Sequence, residues 1–150
     1  PLVNPGWLSN RGSFLVPAGA KRVVHSFVID PRLVLFFLHP DLDTSHGLVV
    51  HSALLHMHRL GKAGRIAVER GRREILLSIR RWDFHWQREY FLASPEPLAL
   101  GDQLSIRCEH DNSAAHQPLI GGKRPRPRTR TWGENSSDEM CIGFLYVSAR

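Results

Sequence analysis

Apolar and polar residues alternate along most of this chain with a period of two, which places alternate side chains on opposite faces of a strand. Residues 21–29 alternate around Val23, Val24, Phe27 and Val28 and predict a strand that Pro31 breaks. The run at 33–38 is continuously apolar and predicts a short buried strand. A polar stretch to Gly47 makes a loop. Residues 65–69 and 74–79 flank Arg70, Gly71 and Arg72 and predict a hairpin with glycine in its turn and a solvated arginine face. A corner follows at 82–86. The next strand, 87–92, ends before Pro95 and Pro97, and two more strands cover 103–108 and 140–147. Residues 1–13, rich in Pro, Gly, Asn and Ser, predict an arm or linker. Residues 112–130 hold prolines and arginines with no apolar period and predict a long basic loop, functional or disordered rather than core. About eight strands with short connections and no convincing helix predict an all-β sandwich forming a single domain over 1–150.

Residues 48–60 carry the chemistry. Their Leu, Ala and Met content permits a helix as well as a strand. In a helix His56 and His58 would stand about 200° apart. In a strand they share a face. A metal bound by both therefore requires the strand. Met140, after the polar approach 136–139, is the best third ligand from a distant strand. Two imidazoles and a thioether suit copper, because the thioether favours copper(I) and imidazole holds either oxidation state. The alternative is a chance histidine pair with Met140 in the core. Elsewhere, His85 lies among aromatics and is open to two readings, as a residue that lines the site or orients a ligand, or, more commonly, as a satisfied structural histidine. His110 shares parity with Cys108. His51 is opposite in parity to His56 and is expected to face away. Glu134, Asp138 and Glu139 are candidates to hydrogen-bond a histidine ligand or to raise the local negative potential for a cation, but read more readily as a solvated strand approach.

Composition narrows the partners. At 150 residues, 42% hydrophobic and 23% charged, the chain suits one domain with a real core. No apolar run approaches the roughly 20 residues that span a bilayer. Pro1 as the first residue, with no leader after it, points to an excised domain or processed fragment. A net charge of +6 invites a nucleic-acid reading. The charge concentrates at 123–130, however, and no nucleic-acid motif accompanies it. Polyanion binding through Lys123 to Arg130, with the histidines incidental and Arg126, Arg128 and Arg130 as the residues whose neutralisation would test it, is kept as an alternative. No phosphate loop, Ser–His–Asp set or carboxylate pair stands out. Cys108 and Cys141 are open to reading as a disulfide or as two free thiols.

Three segments occur in order: His56-Met57-His58-Arg59-Leu60-Gly61, Gly101 to Cys108, and Thr131 to Cys141. Together they resemble the C-terminal domain of the copper type II, ascorbate-dependent monooxygenases, the family of peptidylglycine alpha-hydroxylating and dopamine beta-monooxygenases. Trp82 to Gln87 looks most like the bacterial members. The resemblance covers residues 48–147. It implies an antiparallel jelly-roll-like sandwich. It implies one copper held by His56, His58 and Met140, where O2 is activated and a small-molecule substrate is hydroxylated with ascorbate as external reductant. It also implies a Cys108–Cys141 disulfide and hence an extracytoplasmic setting. The chain departs from the family in two ways. The adjacent histidine pair of the family's second copper is missing, so that copper is expected in a domain upstream or on another chain. Leu54 stands where the peptide-amidating members carry arginine, and Phe144 where the well-known members carry tyrosine. Peptidylglycine is therefore not the expected substrate, and Phe144 joins His85 as a candidate second-shell residue. A single-copper binding or redox module without turnover is the alternative within this resemblance.

Overall fold

The computed structural model describes residues 2–3, as backbone, and 12–150. The arm expected over 1–13 falls largely outside the described residues. Among the described residues there are ten strands: β1 (Leu2–Val3), β2 (Leu15–Val16), β3 (Val23–Ile29), β4 (Leu48–His56), β5 (Gly61–Arg70), β6 (Arg72–Ile79), β7 (Tyr90–Leu98), β8 (Gln103–His110), β9 (Arg130–Thr131) and β10 (Ile142–Ala149). All pairings between them are antiparallel. One four-stranded sheet runs β1-β10-β4-β7 and the other β3-β8-β5-β6, with β2 and β9 forming a small third sheet. The expected antiparallel β-sandwich is thus what forms.

The period of two puts the core where it was expected. Leu48, Val50, Ala53 and Leu55 of β4 join Leu145 and Val147 of β10 on the inner face of the first sheet. Ile66 and Val68 of β5, with Leu104, Ile106 and Cys108 of β8, supply the facing layer. All are buried in one cluster. Gly71, at φ 60°, makes the β5–β6 turn in the left-handed conformation that glycine enters without a Cβ clash. The hairpin arginines do not simply face solvent. Arg70 pairs with Glu74 and Glu96, and Arg73 with Glu69.

Four sequence expectations change. The apolar run at 33–38 lies in a helix, α1 (Pro31–Leu38), and not in a buried strand. Asp30 caps it by accepting from Arg32 N at 2.9 Å, and Pro31 occupies the first turn, where its missing N–H costs nothing. Pro31, Val34 and Leu35 are buried at helical spacing, while Leu33, Phe36, Phe37 and Leu38 are exposed. Second, β7 continues through Pro95 and Pro97. It lies at a sheet edge, where a residue without an N–H removes no ladder bond from a further neighbour. Third, the parity that turned His51 away from His56 is broken by a bulge. Val50 pairs with Val147 and Ser52 with Tyr146, so His51 is the extra residue. Its ring packs 5.3 Å from Tyr146, on the face that also carries Phe144. Fourth, the loop at 112–130 begins with buried anchors. Asn112 Nδ2 donates to the carbonyl oxygens of Val16, Pro17 and Arg128, and Gln117 Nε2 donates to Asn112 Oδ1. The basic stretch beyond is exposed at Lys123, Arg124, Arg126 and Arg128.

Candidate metal centre

Strand β4 ends at His56, and the chain then turns through Met57 to Leu60 into β5. The strand reading of 48–60 therefore holds up to the first histidine. Met57 points into the core and is fully buried, which leaves its neighbours His56 and His58 on the other side. Their rings stand edge to face with centroids 5.0 Å apart. The pairing of Ile142 with His56 brings the start of β10 beside them. Met140 stands two residues before that pairing and is buried.

Hydrogen bonds decide which nitrogen each ring presents. His58 Nδ1 lies 3.1 Å from the backbone carbonyl of Asp138, an acceptor only, so Nδ1 carries the proton. His56 Nδ1 lies 2.6 Å from Gln87 Oε1. The amide of Gln87 is oriented by its own Nε2, which donates to Phe84 O at 2.8 Å. His56 is therefore also an Nδ1–H tautomer. Each ring turns a deprotonated Nε2 away from its protein partner, the arrangement that carbonyl and amide oxygens impose on metal-ligating histidines. Burial lowers the pKa of His56, against the opposing effect of its hydrogen bond to Gln87 Oε1, and so favours the neutral imidazole that can donate a lone pair. These residues fit a soft or borderline metal ion.

A buried carboxylate organises the backbone around the pair. Glu139 is fully buried, contrary to the solvated role expected of it. Its Oε2 accepts from His58 N at 3.0 Å and from Met140 N at 3.3 Å, and Oε1 accepts from Leu60 N at 2.6 Å. One side chain thus ties the histidine segment to the methionine. His110 backs it, with Nε2 3.4 Å from Glu139 Oε2 and 3.1 Å from Met140 O. No spacing signals this role, because Glu139 meets His58 across 81 residues. Glu134, by contrast, is exposed as expected. Cys108 and Cys141 form a disulfide with Cα atoms 5.8 Å apart, joining β8 of one sheet to the residue beside Met140.

The other candidates fall around this centre. Trp82 Nε1 donates to His58 O at 2.9 Å, and its ring lies so close to Gly61 that a Cβ there would sit 2.5 Å from Trp82 Cδ1. His85 is exposed and lies beside Asp83, at 3.4 Å. Gln87, and not His85, makes the hydrogen bond to His56. Phe144 lines a mostly apolar cleft of about 390 Å³ with Leu54, His56, Gln87 and Glu89.

His25 shares the buried pocket behind Glu139. It stacks on Phe14 at 3.9 Å and meets His110 edge to face at 5.4 Å. Burial, reinforced by His110, lowers its pKa to about 4. An unfolded histidine protonates near 6.5, so the unfolded chain binds the extra proton first as pH falls. This contribution is complete above about pH 6.5 and is lost between there and about pH 4. With solvent screening allowed for, it is on the order of 1–2 kcal/mol. Urea unfolding of His25→Phe is expected to show a decline from pH 7 to pH 4.5 that is shallower by about that amount. Equal declines in the two proteins would remove His25 as the cause.

Residues 40–148 match the family model for the copper type II ascorbate-dependent monooxygenase, C-terminal domain. The match spans both histidines, Met140, Glu139 and the disulfide. This chain belongs to that family.

Proposed function

We propose that the domain holds one copper ion through His56 Nε2, His58 Nε2 and the Met140 thioether, and is the hydroxylating half of a monooxygenase. The observation that carries this reading is the pair of Nδ1–H tautomers, each set by an oxygen acceptor, which aims two bare nitrogens outward from rings 5.0 Å apart. Among the described residues no group of three His, Cys, Asp or Glu side chains is placed to hold a metal. The Met140 thioether is the donor assigned to complete the set, since Glu139 Oε2 accepts from both Met140 N and His58 N. Bound copper would supply the O2 activation and C–H hydroxylation chemistry, with ascorbate as the external source of electrons. The chain's own residues do the rest. Gln87 and Asp138 hold the rings, Glu139 and the disulfide anchor the backbone at Met140, and Leu54 and Phe144 form an apolar wall next to His56. That wall suits an uncharged or aromatic part of a small-molecule substrate. The electron-storing copper would lie in a domain upstream or on another chain. The disulfide fits an oxidising, extracytoplasmic compartment.

Titration with copper(I), with X-ray absorption on the loaded protein, tests the site. One equivalent with a sulfur scatterer is expected. Met140→Ile should lose the sulfur signal, and His56→Ala should weaken binding by about 100-fold or more, beyond what loss of a supporting hydrogen bond causes. Binding indifferent to both substitutions would overturn the assignment. Ascorbate- and O2-dependent hydroxylation by the full-length protein would separate a catalytic domain from a copper module without turnover.

A further inference from the structure

A second cleft, of about 720 Å³, opens beside Arg59 and Trp82, and nothing in the copper assignment uses it. Its lining includes Arg59, Arg81, Trp82, Phe84, His85 and His116. Two of these residues touch His58 directly. Trp82 hydrogen-bonds its carbonyl, and the Phe84 ring stands edge-on at 6.1 Å. The cleft therefore abuts the histidine pair. Arg22, Arg70, Arg72, Arg73 and Arg107 pair with carboxylates. Arg59 and Arg81 have no ion pair among the described residues. Arg59 Nε is buried with no hydrogen-bond partner, and its guanidinium lies 5.5 Å over the Phe84 ring. A buried donor without an acceptor costs about 1–3 kcal/mol, a cost that an anionic ligand would remove. The one carboxylate in the lining, Asp83, accepts from the backbone N of His85 and lies beside that ring.

We propose that this cleft binds a small planar organic anion, the enediolate reductant itself. Guanidinium groups recognise such anions by charge-assisted hydrogen bonds, and the aromatic wall of Trp82 and Phe84 gives a flat surface to lie against. Ascorbate, a monoanionic enediol at neutral pH, has this chemistry. The choice of an enediolate rests on the copper monooxygenase reading, whereas the demand for an anion rests only on the cleft.

The test uses the metal-free chain, so it does not depend on copper binding. Calorimetric titration with ascorbate under anaerobic conditions is expected to show one saturable site that weakens as salt rises. Arg59→Gln and Arg81→Gln should each weaken it at least fivefold, and His56→Ala should leave it unchanged. Ribitol, neutral and of similar size, should not bind. No saturable binding, or binding unaffected by both arginine substitutions, would overturn the proposal. Benzoate binding more tightly than ascorbate would assign the cleft to a carboxylate and overturn the reductant assignment. A failed copper titration beside a successful ascorbate titration would remove the copper reading and leave the anion site standing.

Discussion

Glu139→Leu is expected to destabilise the fold by about 3 kcal/mol or more, the largest effect of any single substitution near the centre. Leucine fills most of the volume but accepts no hydrogen bond. The N–H groups of His58, Leu60 and Met140 would all lose the acceptor they share. Each buried donor left unsatisfied costs about 1–3 kcal/mol, and relaxation or an inserted water recovers part of the sum. Glu139→Gln is the more informative variant. Its amide keeps one acceptor oxygen and turns an N–H2 toward the remaining backbone donors, so one arm of the clamp survives and the other becomes repulsive. The fold is then expected to persist with roughly half the stability loss, while copper(I) affinity falls about 10–100-fold, the usual cost of removing an outer support from a metal site. Urea unfolding and copper competition titration measure the two effects separately. A shift of less than about 1 kcal/mol for Glu139→Leu would show that the carboxylate does not hold this corner.

Removing the disulfide is the second large effect. Cys108 pairs across the sheet with His25 and Gly64, whereas Cys141 leads into β10 of the opposite sheet. The bridge therefore ties the two layers of the sandwich together next to Met140. It closes a separation of 33 residues, for which the chain-entropy estimate is about 3–4 kcal/mol. Cys108→Ala with Cys141→Ala should lower Tm by about 6–15 °C in a chain of this size. Copper(I) affinity should fall as well, because the backbone at Met140 loses an anchor while His56 and His58 keep their own partners. A Tm change under about 3 °C would mean that β10 is held by its ladder and core alone.

Much of this architecture was legible residue by residue. The alternation in β3, β5, β6, β8 and β10 is local information, since burial of one sheet face demands a period of two. The glycine turn at Gly71 and the shared face of His56 and His58 follow from the same short-range geometry. Met140 and Cys141 are neighbours in sequence, so one docking event places both. The apolar wall of Leu54 and Phe144 was visible as two departures from the family pattern. The helix at 31–38 was also signalled locally, by Asp30 and Pro31 as cap and first turn. The unbroken apolar run hid it, because such a run has no period to separate helix from strand.

What the sequence by itself determined is therefore the β-sandwich, the histidine pair and the family, all set by short-range spacing and by motifs in order. Only the tertiary structure decided how those parts are held. A one-residue bulge at His51 reverses parity along β4, and a bulge depends on how two strands register. Pro95 and Pro97 are tolerated because β7 falls at an edge, a property of sheet order and not of the strand. Gln87 sets the tautomer of His56 from 31 residues away, and Glu139 is buried because backbone donors 79 and 81 residues distant converge on it. Arg59 Nε is buried without a hydrogen-bond partner, because the carboxylate in the same cleft, Asp83, turns to His85 instead. A polar side chain reads the same in sequence whether it is solvated or clamped. The free energy that separates those states lies in its partners, and the fold alone assembles them.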